Sequence, residues 1–555
     1  MLLTRSVLLV GAIPALINAQ SNPQIVLQSV HHDKPETGDF DIVQALNDRS
    51  IDVSTVPVLA KLTEETKSSK KSACAAACSA LEFMYAENEI LTKSSPDVDT
   101  FIKGFWSNNQ AETLPACVFK PLDAEAVSVV VLLSRLTQCP FAVKSGGHAS
   151  FPGASNIEGG ITVSFERMKS FQISEDKSTV TIEPGWKWGP LYRELGDHDL
   201  TVVGGRVASV GAGGLITGGG ISFFSNLHGW ACDNIASLTL VTSTGAIITV
   251  SPTSNPTLFS ALRGAGPNLG IITSFTLRTI PLPSGQIWGG TRTYLPDTYP
   301  SLIHAFTTLS ASSTLDPNAG AWLSFIRYNG TDLALAELYY ARPDGHNATI
   351  WQNFDAVPSI ASTTENRHIA DYAAKVEADA PPGHRQYFYV MTVKNSHEMN
   401  TAAMQLYYDS IAEVEQYEGG FGAFVLQSIS TEQLRHMRRD GGNTLGLDEE
   451  EEALTLILLN PRWSKKEDDE GMYRFGSELF KRIKRAAVER GCEKRYLYMN
   501  YASEFQDVVG SYGEAGERLR EAAREWDPEG VWQRLMPGYF KLDGPPTKGT
   551  DMFSF

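Results

Sequence analysis

The chain has 555 residues, enough for about three domains, and its 42% hydrophobic and 20% charged composition excludes a disordered or fibrous protein. Its 64 acidic and 47 basic residues give a net charge of −17, which repels phosphate backbones and anionic lipid headgroups. We therefore expect no nucleic-acid partner and no membrane-surface partner.

The N-terminus, residues 1–19, has the pattern of a secretory signal peptide. Arg5 precedes an apolar stretch, and the small residue Ala19 ends it. The alternative is a buried strand or helix that opens the first domain. With cleavage after Ala19 we expect an exported protein, because no later segment has the roughly twenty apolar residues that span a bilayer. Two sequons, at Asn329 and Asn347, fit an exported glycoprotein.

Residues 20–110 form a polar N-terminal segment that favours helices. Cys74 and Cys78 lie four positions apart in it, so both lie on one face of a predicted helix and each can reach a different partner. The six cysteines of the chain allow fifteen connectivities, and the sequence does not choose among them. In an exported chain we expect disulfides from this helix to Cys117 and Cys139. We expect no metal site, because the histidines lack ligand spacing.

Two domains and a tail follow. Short β-branched runs separated by glycines predict an α+β domain over 111–283. Residues 284–489 mix strands and helices, which predicts a second domain with its own sheet. In the tail, 490–545, a helix is predicted from Glu514 to Glu525, before the stop at Pro528.

The segment Val203–Ser222 has eight glycines between positions 204 and 220. Glycines let the backbone approach a ligand and turn its N–H groups toward one point, as in pyrophosphate sites, so a dinucleotide is the natural ligand. An array of tight turns is the alternative. A Rossmann site does not fit, because Ile216 stands where the third glycine belongs and the second cluster, Gly264–Gly270, lies between a helix and a strand in reversed order. The motifs of serine and zinc hydrolases are absent.

Several motifs of this chain occur together in one known family. They are Lys144–His148, Val203–Ser222, Ala231–Asn234, Ala261–Thr273, Tyr498–Tyr501 and Trp526–Trp532. In order and spacing they resemble the FAD-binding domain of the vanillyl-alcohol oxidase superfamily and, more narrowly, fungal relatives of the berberine bridge enzyme. The resemblance implies a two-lobed FAD-binding domain of the PCMH type over 111–283 and an antiparallel-sheet substrate domain over 284–489. It also implies a berberine-bridge-like C-terminal segment over 490–545 that returns to the FAD domain.

The resemblance also implies how FAD is held. The histidine of the Gly-Gly-His motif, His148, is expected to bond covalently to the flavin. Many relatives have a second link through a cysteine, but Val207 occupies that position, so we expect a single link. Val210 matches the position where valine accompanies reaction with dioxygen in plant relatives. The other expected contacts are Ser145, Gly146, Gly147, Ser209, Gly211, Gly213 and Gly214 around the pyrophosphate, Ile272 near the adenine or ribose, and Asn500 and Tyr501 over the flavin.

Hydride transfer to flavin requires a base that removes a proton from the substrate. Tyr498 is the first candidate, because on a strand it would point to the same face as Asn500. The alternative is a core tyrosine with a satisfied hydroxyl. Gln427, on the predicted strand Gly422–Ser428, is a candidate hydrogen-bonding partner of the substrate. The glutamate base of some relatives has no clear equivalent in this sequence.

The sequence thus predicts an exported FAD-dependent oxidase, monomeric, that oxidises a small organic molecule and releases hydrogen peroxide from dioxygen. A secondary metabolite is the expected substrate. One alternative is a carbohydrate oxidase of the same fold, against which Val207 counts, because such relatives usually have a doubly linked flavin. The other is a non-catalytic flavoprotein that keeps the scaffold.

Overall fold

The computed structural model of the protein describes residues 40–62 and 70–548. The predicted signal peptide, residues 1–19, lies outside the described residues. Within them, no helix is both long enough and apolar enough to cross a membrane. The α-helices are α1 (Ile42–Asp48), α2 (Pro57–Leu62), α3 (Lys70–Met84), α4 (Val98–Lys103), α5 (Asn108–Ala111), α6 (Ala124–Thr137), α7 (Trp188–Gly196), α8 (Ala212–Thr217), α9 (Ser225–His228), α10 (Pro256–Leu262), α11 (Tyr299–Ala311), α12 (Gln352–Asp355), α13 (Ile369–Ala378), α14 (His397–Tyr408), α15 (Thr431–His436), α16 (Asp469–Glu489), α17 (Val508–Ser511), α18 (Glu514–Trp526) and α19 (Val531–Arg534).

The first sheet leads into the Gly-Gly-His motif. Its strands are β1 (Ile90–Leu91), β2 (Cys117–Phe119), β3 (Phe141–Lys144) and β4 (Ile161–Ser164), in the order β1-β2-β4-β3. Strands β2, β4 and β3 are parallel, so β2 and β3 need a crossover, and α6 supplies it. Asp123 caps α6 by accepting from the N–H of Ala126 at 2.9 Å, and Gln138 ends it in a left-handed conformation. Strand β3 then ends where the glycines begin.

The second sheet leads into the glycine-rich segment. Its strands are β5 (Phe171–Ile173), β6 (Thr179–Ile182), β7 (Leu200–Val202), β8 (Ile235–Val241), β9 (Ile247–Val250) and β10 (Ile271–Pro281). The order is β5-β6-β10-β8-β9, with β7 on β10, and every pairing is antiparallel. The first two sheets together form the two lobes of the α+β domain. The chain leaves β7 directly into Val203, so this sheet fixes where the eight glycines begin.

The third sheet is large and antiparallel throughout. Its order is β14-β11-β13-β12-β18-β19-β17-β20, with β15 on β11 and β16 on β19. The strands are β11 (Gln286–Tyr294), β12 (Ala319–Tyr328), β13 (Thr331–Tyr340), β14 (Ala361–Ser362), β15 (Glu365–His368), β16 (Arg385–Gln386), β17 (Tyr389–Lys394), β18 (Phe421–Ile429), β19 (Leu454–Trp463) and β20 (Glu493–Lys494).

The two faces of the third sheet differ because side chains alternate along a strand. On β12, Leu323 and Phe325 are fully buried in a core that includes residues of α11, α14 and α16. The alternate residues Trp322, Ser324 and Ile326 point to the opposite face, which lines a cavity. The helices therefore cover one face and leave the other for a ligand.

Two disulfides join the N-terminal segment to the first sheet, as predicted. Cys74 bonds to Cys139, and Cys78 bonds to Cys117 in β2. Both half-cystines of α3 are on one face of the helix. That face packs with residues of α6 and β3 in one apolar core. The described part of this segment is thus integral to the core around the first sheet.

The C-terminal segment returns to the first two sheets, as the resemblance implies. The N–H of Phe141 in β3 donates to the carbonyl of Leu535 at 2.7 Å, and the ring of Tyr539 stacks on Phe151 with centroids 5.9 Å apart. The expected fold class, an α+β region followed by an antiparallel-sheet region and a returning tail, is confirmed.

Candidate active site

A cavity of about 530 Å³ lies between the glycine-rich segment, the open face of the third sheet and the C-terminal segment. A second cavity of about 100 Å³ lies on the other side of the glycine loops. Of the residues predicted for the site, the larger cavity is lined by His148, Val210, Gly211, Gln427, Tyr498, Asn500 and Tyr501. The smaller one is lined by Ser145, Gly213, Gly214 and Ile272. The structure therefore brings these residues together in two groups, one on each side of the glycine loops.

The glycine loops between the two cavities approach each other too closely for side chains. A Cβ atom on Gly146 would collide with the backbone of Gly211, and the reverse substitution would also collide. Gly147 has φ +71°, a conformation that favours glycine. In the described part of the chain, the N–H groups of Gly146, Gly147 and Gly211 have no hydrogen-bond partner. Free N–H groups on a glycine loop fit the pyrophosphate that joins the two halves of a dinucleotide.

His148 is held as a neutral ring at the edge of the larger cavity. Its imidazole stacks on Trp106 with centroids 4.7 Å apart, and Trp106 stacks in turn on Phe388 at 5.1 Å. The Oγ atom of Ser209 lies 3.3 Å from Nε2 of His148. Burial, followed by the charge of Lys187, lowers the pKa of His148 to about 3. A ring nitrogen of this histidine therefore keeps a free lone pair at neutral pH.

Tyr498 and Asn500 meet, but not on a strand. The expected strand is wrong at this point: residues Met499–Tyr501 form a 3₁₀ turn, which carries Asn500 back over Tyr498. The Nδ2 atom of Asn500 donates to the Tyr498 hydroxyl at 3.0 Å and to the carbonyl of Leu215 at 3.1 Å. Tyr498 and Asn500 are therefore close together, as expected, but because of a turn and not because they alternate along a strand.

The hydroxyl of Tyr498 also receives two backbone hydrogen bonds. The N–H groups of Gly220 and Ile221 both donate to it at 3.2 Å. Burial, followed by the nearby Tyr501, raises the pKa of Tyr498, while the bonds from Asn500 and Ile221 oppose that rise. The three donors therefore offset part of the effect of burial, and the pKa of Tyr498 stays raised.

Gln427 forms a polar cluster with a residue that the sequence analysis missed. Nη2 of Arg206 donates to Oε1 of Gln427 at 2.7 Å and to the hydroxyl of Tyr501 at 2.8 Å. The guanidinium also lies over the ring of Trp322, 4.7 Å from its centroid. The sequence did contain a sign of its role, because Arg206 is a basic residue inside the otherwise apolar and glycine-rich segment Val203–Ser222.

The remaining walls of the larger cavity are mostly apolar. Aromatic and aliphatic side chains from the sheet and neighbouring loops line it, among them Trp322, Ile326, Phe388, Phe421 and Val425. Glu337 supplies a carboxylate, which Lys375 holds at 2.7 Å. Apolar and aromatic walls with a few fixed polar groups are typical of sites for small organic molecules.

Comparison with known proteins gives three findings. The FAD binding domain family matches residues 115–251. The FAD-dependent monooxygenase tpcD of Cochliobolus heterostrophus is 31% identical over 453 residues, covering 79% of this chain and 87% of that protein. Two solved structures share the fold: 6-hydroxy-D-nicotine oxidase from Arthrobacter nicotinovorans (TM-score 0.68, 22% identity, 83% of this chain and 98% of that one) and a variant of berberine bridge enzyme (TM-score 0.67, 16% identity, 82% and 98%).

Proposed function

Because the chain belongs to the family of FAD-dependent oxidoreductases that share the berberine-bridge-type fold, we propose that it is a secreted oxidase of a small, largely apolar organic molecule. The observation that carries the proposal is the cavity in which the glycine loops, His148 and the open sheet face meet. When bound, FAD accepts a hydride from the substrate and passes two electrons to dioxygen, which yields hydrogen peroxide.

The residues present fit FAD. Ser145, Gly146, Gly147, Gly211, Gly213 and Gly214 would hold the pyrophosphate, with Ile272 near the adenine or ribose and Asn500 and Tyr501 over the flavin. In our proposal a neutral His148 bonds to the flavin, since its free lone pair can form the link. Val207 has no thiol, so the link is single.

Tyr498 is the proposed base. Burial raises the pKa of this tyrosine, and three N–H donors around its oxygen partly offset that rise, so they reduce the cost of forming the phenolate that would take the substrate proton. Asn500 positions Tyr498 by bridging it to Leu215. In this proposal Gln427, which lines the cavity, hydrogen-bonds to the substrate.

The apolar walls favour a secondary metabolite over a carbohydrate. Sugars need many hydrogen-bonding groups along a groove, whereas Trp322, Phe388 and Phe421 offer flat apolar faces. Secretion is supported by the N-terminal pattern and by two disulfides, which persist in oxidising compartments. Asn329 and Asn347 are both exposed and so accessible to glycosylation.

The test of the proposal starts with the purified protein and its His148→Ala variant. Acid-denatured wild-type protein should stay yellow, and a flavin-bearing peptide should contain His148. The variant should lose its colour on denaturation, while His198→Ala, a change at an exposed histidine, should keep it. Yellow denatured His148→Ala protein would contradict the covalent link.

The reaction itself is tested by screening alcohols, amines, phenolic metabolites and oligosaccharides for anaerobic bleaching of the flavin and for peroxide release in air. We expect turnover with a phenolic or other apolar metabolite. Turnover confined to oligosaccharides would establish the carbohydrate oxidase instead. Flavin that no compound reduces would point to the non-catalytic protein.

A further inference from the structure

A buried guanidinium without an anionic partner faces the larger cavity. We propose that Arg206 binds an anionic oxygen group of the substrate, a carboxylate or an enolate. This inference rests on the proposed function, because it names the class of molecule that the oxidase takes. Arg206 is only 8% exposed, and it forms no ion pair with any residue that the structure describes. A buried charge is unfavourable unless an opposite charge or a hydrogen-bonding set compensates it.

The protein's own contacts leave most of the guanidinium unused. The bonds to Gln427 and Tyr501 both come from Nη2, and Trp322 contributes only its ring face. Across the described ranges, neither Nε nor Nη1 of Arg206 has a hydrogen-bond partner. A guanidinium binds a carboxylate best through two parallel N–H groups, and such groups remain available here.

Gln427 supplies a second unused donor. Because arginine can only donate, the amide oxygen of Gln427 must face Arg206, and its amide nitrogen points elsewhere. This nitrogen is buried and has no hydrogen-bond partner in the described structure. The residue is only 4% exposed, and it lines the cavity. A buried donor without an acceptor is costly, so the site lacks an oxygen that a ligand would bring.

The acidic residues of the cavity do not supply that oxygen. Glu337 pairs in register with Trp322, but Lys375 holds its carboxylate at 2.7 and 2.8 Å. Asp379 lies within electrostatic reach of Lys375 and Glu337. The whole chain carries a net charge of −17, so no broad positive field attracts anions. Two guanidiniums, Arg206 and Arg462, line the cavity, and Arg206 is the one beside the unpartnered amide nitrogen of Gln427, so we assign the anion preference to Arg206.

Benzoate and benzamide test the proposal on the flavin-loaded protein, since they share size and shape and differ in charge. Their binding is followed through changes in flavin absorbance. We expect benzoate to bind about tenfold to hundredfold more tightly than benzamide, the value of a charge-assisted hydrogen bond.

In the variant Arg206→Gln, benzoate and benzamide should bind equally. Arg462→Gln is the matched control, because Arg462 lines the same cavity opposite Phe421, six residues and about 20 Å along β18 from Gln427. It should keep the preference.

A second measurement needs no variant. Phenylglyoxal modifies arginines, and mass spectrometry reports the rate at each residue. Benzoate should slow modification of Arg206 and leave Arg462 unchanged, while benzamide should protect neither. Equal binding of the two probes to the wild type, a preference that survives in Arg206→Gln, or unprotected Arg206 would each overturn the proposal. If the protein carries a flavin that substrate reduces but binds benzoate and benzamide equally, only the role of Arg206 is wrong. If the protein carries no flavin, or its flavin is never reduced, the proposed function is wrong.

Discussion

Asn500 lies between two acceptors, the Tyr498 hydroxyl and the Leu215 carbonyl, and so fixes the tyrosine against the glycine-rich segment. Asn500 therefore contributes by positioning, because it orients the oxygen that we propose as the base. Tyr501, one residue further along the same turn, bonds instead to Arg206 and Gln427. The two tyrosine rings touch, with centroids 4.8 Å apart, but their hydroxyls have different partners.

Comparing Tyr498→Phe with Tyr501→Phe separates these roles. Tyr498→Phe keeps the ring and deletes the proposed base, so anaerobic flavin reduction should slow by about 10² to 10⁴ while flavin content is retained. Tyr501→Phe loses a hydroxyl in the same cavity but leaves the base in place. It should weaken substrate binding and largely preserve the reduction rate at saturation. A wild-type reduction rate in Tyr498→Phe would return that residue to a core role.

Val210 provides a prediction for the oxidative half-reaction. It lines the cavity beside Gly211, and Val210→Leu enlarges a side chain at the proposed point of oxygen access. Stopped-flow reoxidation of the reduced enzyme should slow by about tenfold or more, a barrier change of about 1.4 kcal/mol. Reduction by substrate should stay near the wild-type rate. Val207→Leu adds the same bulk nearby and should spare reoxidation; equal slowing in both variants would argue against a specific role for Val210.

At the scale of elements, the sequence predicted the features that depend on neighbouring residues and missed those that depend on long-range contacts. Strand β3 is the short run Phe141–Lys144 that precedes the glycines, and α18 ends at Trp526, just before the predicted stop at Pro528, because both depend on neighbouring residues. Arg206 and Trp106 were missed, since their roles arise from strands and loops far away in sequence. Met499–Tyr501 was misassigned because its contacts with the glycine-rich segment, not its own pattern, determine the turn.

The disulfide between α3 and β2 is a testable link between elements. Cys78→Ser with Cys117→Ser removes it without leaving an unpaired thiol, and urea unfolding should then show a loss of about 2 to 5 kcal/mol. Cys492→Ser is the control, because Cys492 is buried and forms no disulfide. It should cost less than the double variant. An equal loss would mean that burial of the cysteine, rather than the cross-link, provides the stabilisation.

Across the whole molecule, a polar seam joins the flavin-binding region to the third-sheet region. The amide oxygen of Asn226 accepts from Ser430 and from Gln433, both at 2.8 Å, and Gln433 also accepts from Trp230 at 2.8 Å. These bonds connect α9 with α15, which lies between β18 and β19. The two walls of the cavity are therefore held together by buried hydrogen bonds as well as by apolar packing.

The same seam predicts how stability depends on pH. Burial, followed by His436 and Arg439, lowers the pKa of His228 to about 4, and burial also lowers the pKa of His436. Histidines of the unfolded chain take up protons near pH 6.5, whereas these two resist protonation when folded. The unfolding free energy should therefore fall as pH drops from about 6.5 toward 4. Glu432 and Arg435 also face His436, the first opposing and the second adding to the lowering of its pKa.

Urea titrations at several pH values check this expectation. The double variant His228→Gln, His436→Gln should lose less stability between pH 7 and pH 4.5 than the wild type. His198→Gln, at an exposed position, should follow the wild type. If the unfolding free energy falls equally with pH in all three proteins, His228 and His436 do not cause the loss of stability in acid.

The bond between Phe141 in β3 and Leu535 joins the strand before the Gly-Gly-His motif to a residue far later in the chain. On the ribosome, the loop with His148 emerges well before Leu535, which bonds to β3, and before Tyr498 and Tyr501, which line the cavity. A nascent chain therefore exposes the histidine without the pocket that gives it its chemistry. If flavin bonds to His148 as we propose, the attachment should follow synthesis of Leu535 and Tyr539, and a chain truncated before Leu535 should carry no bound flavin.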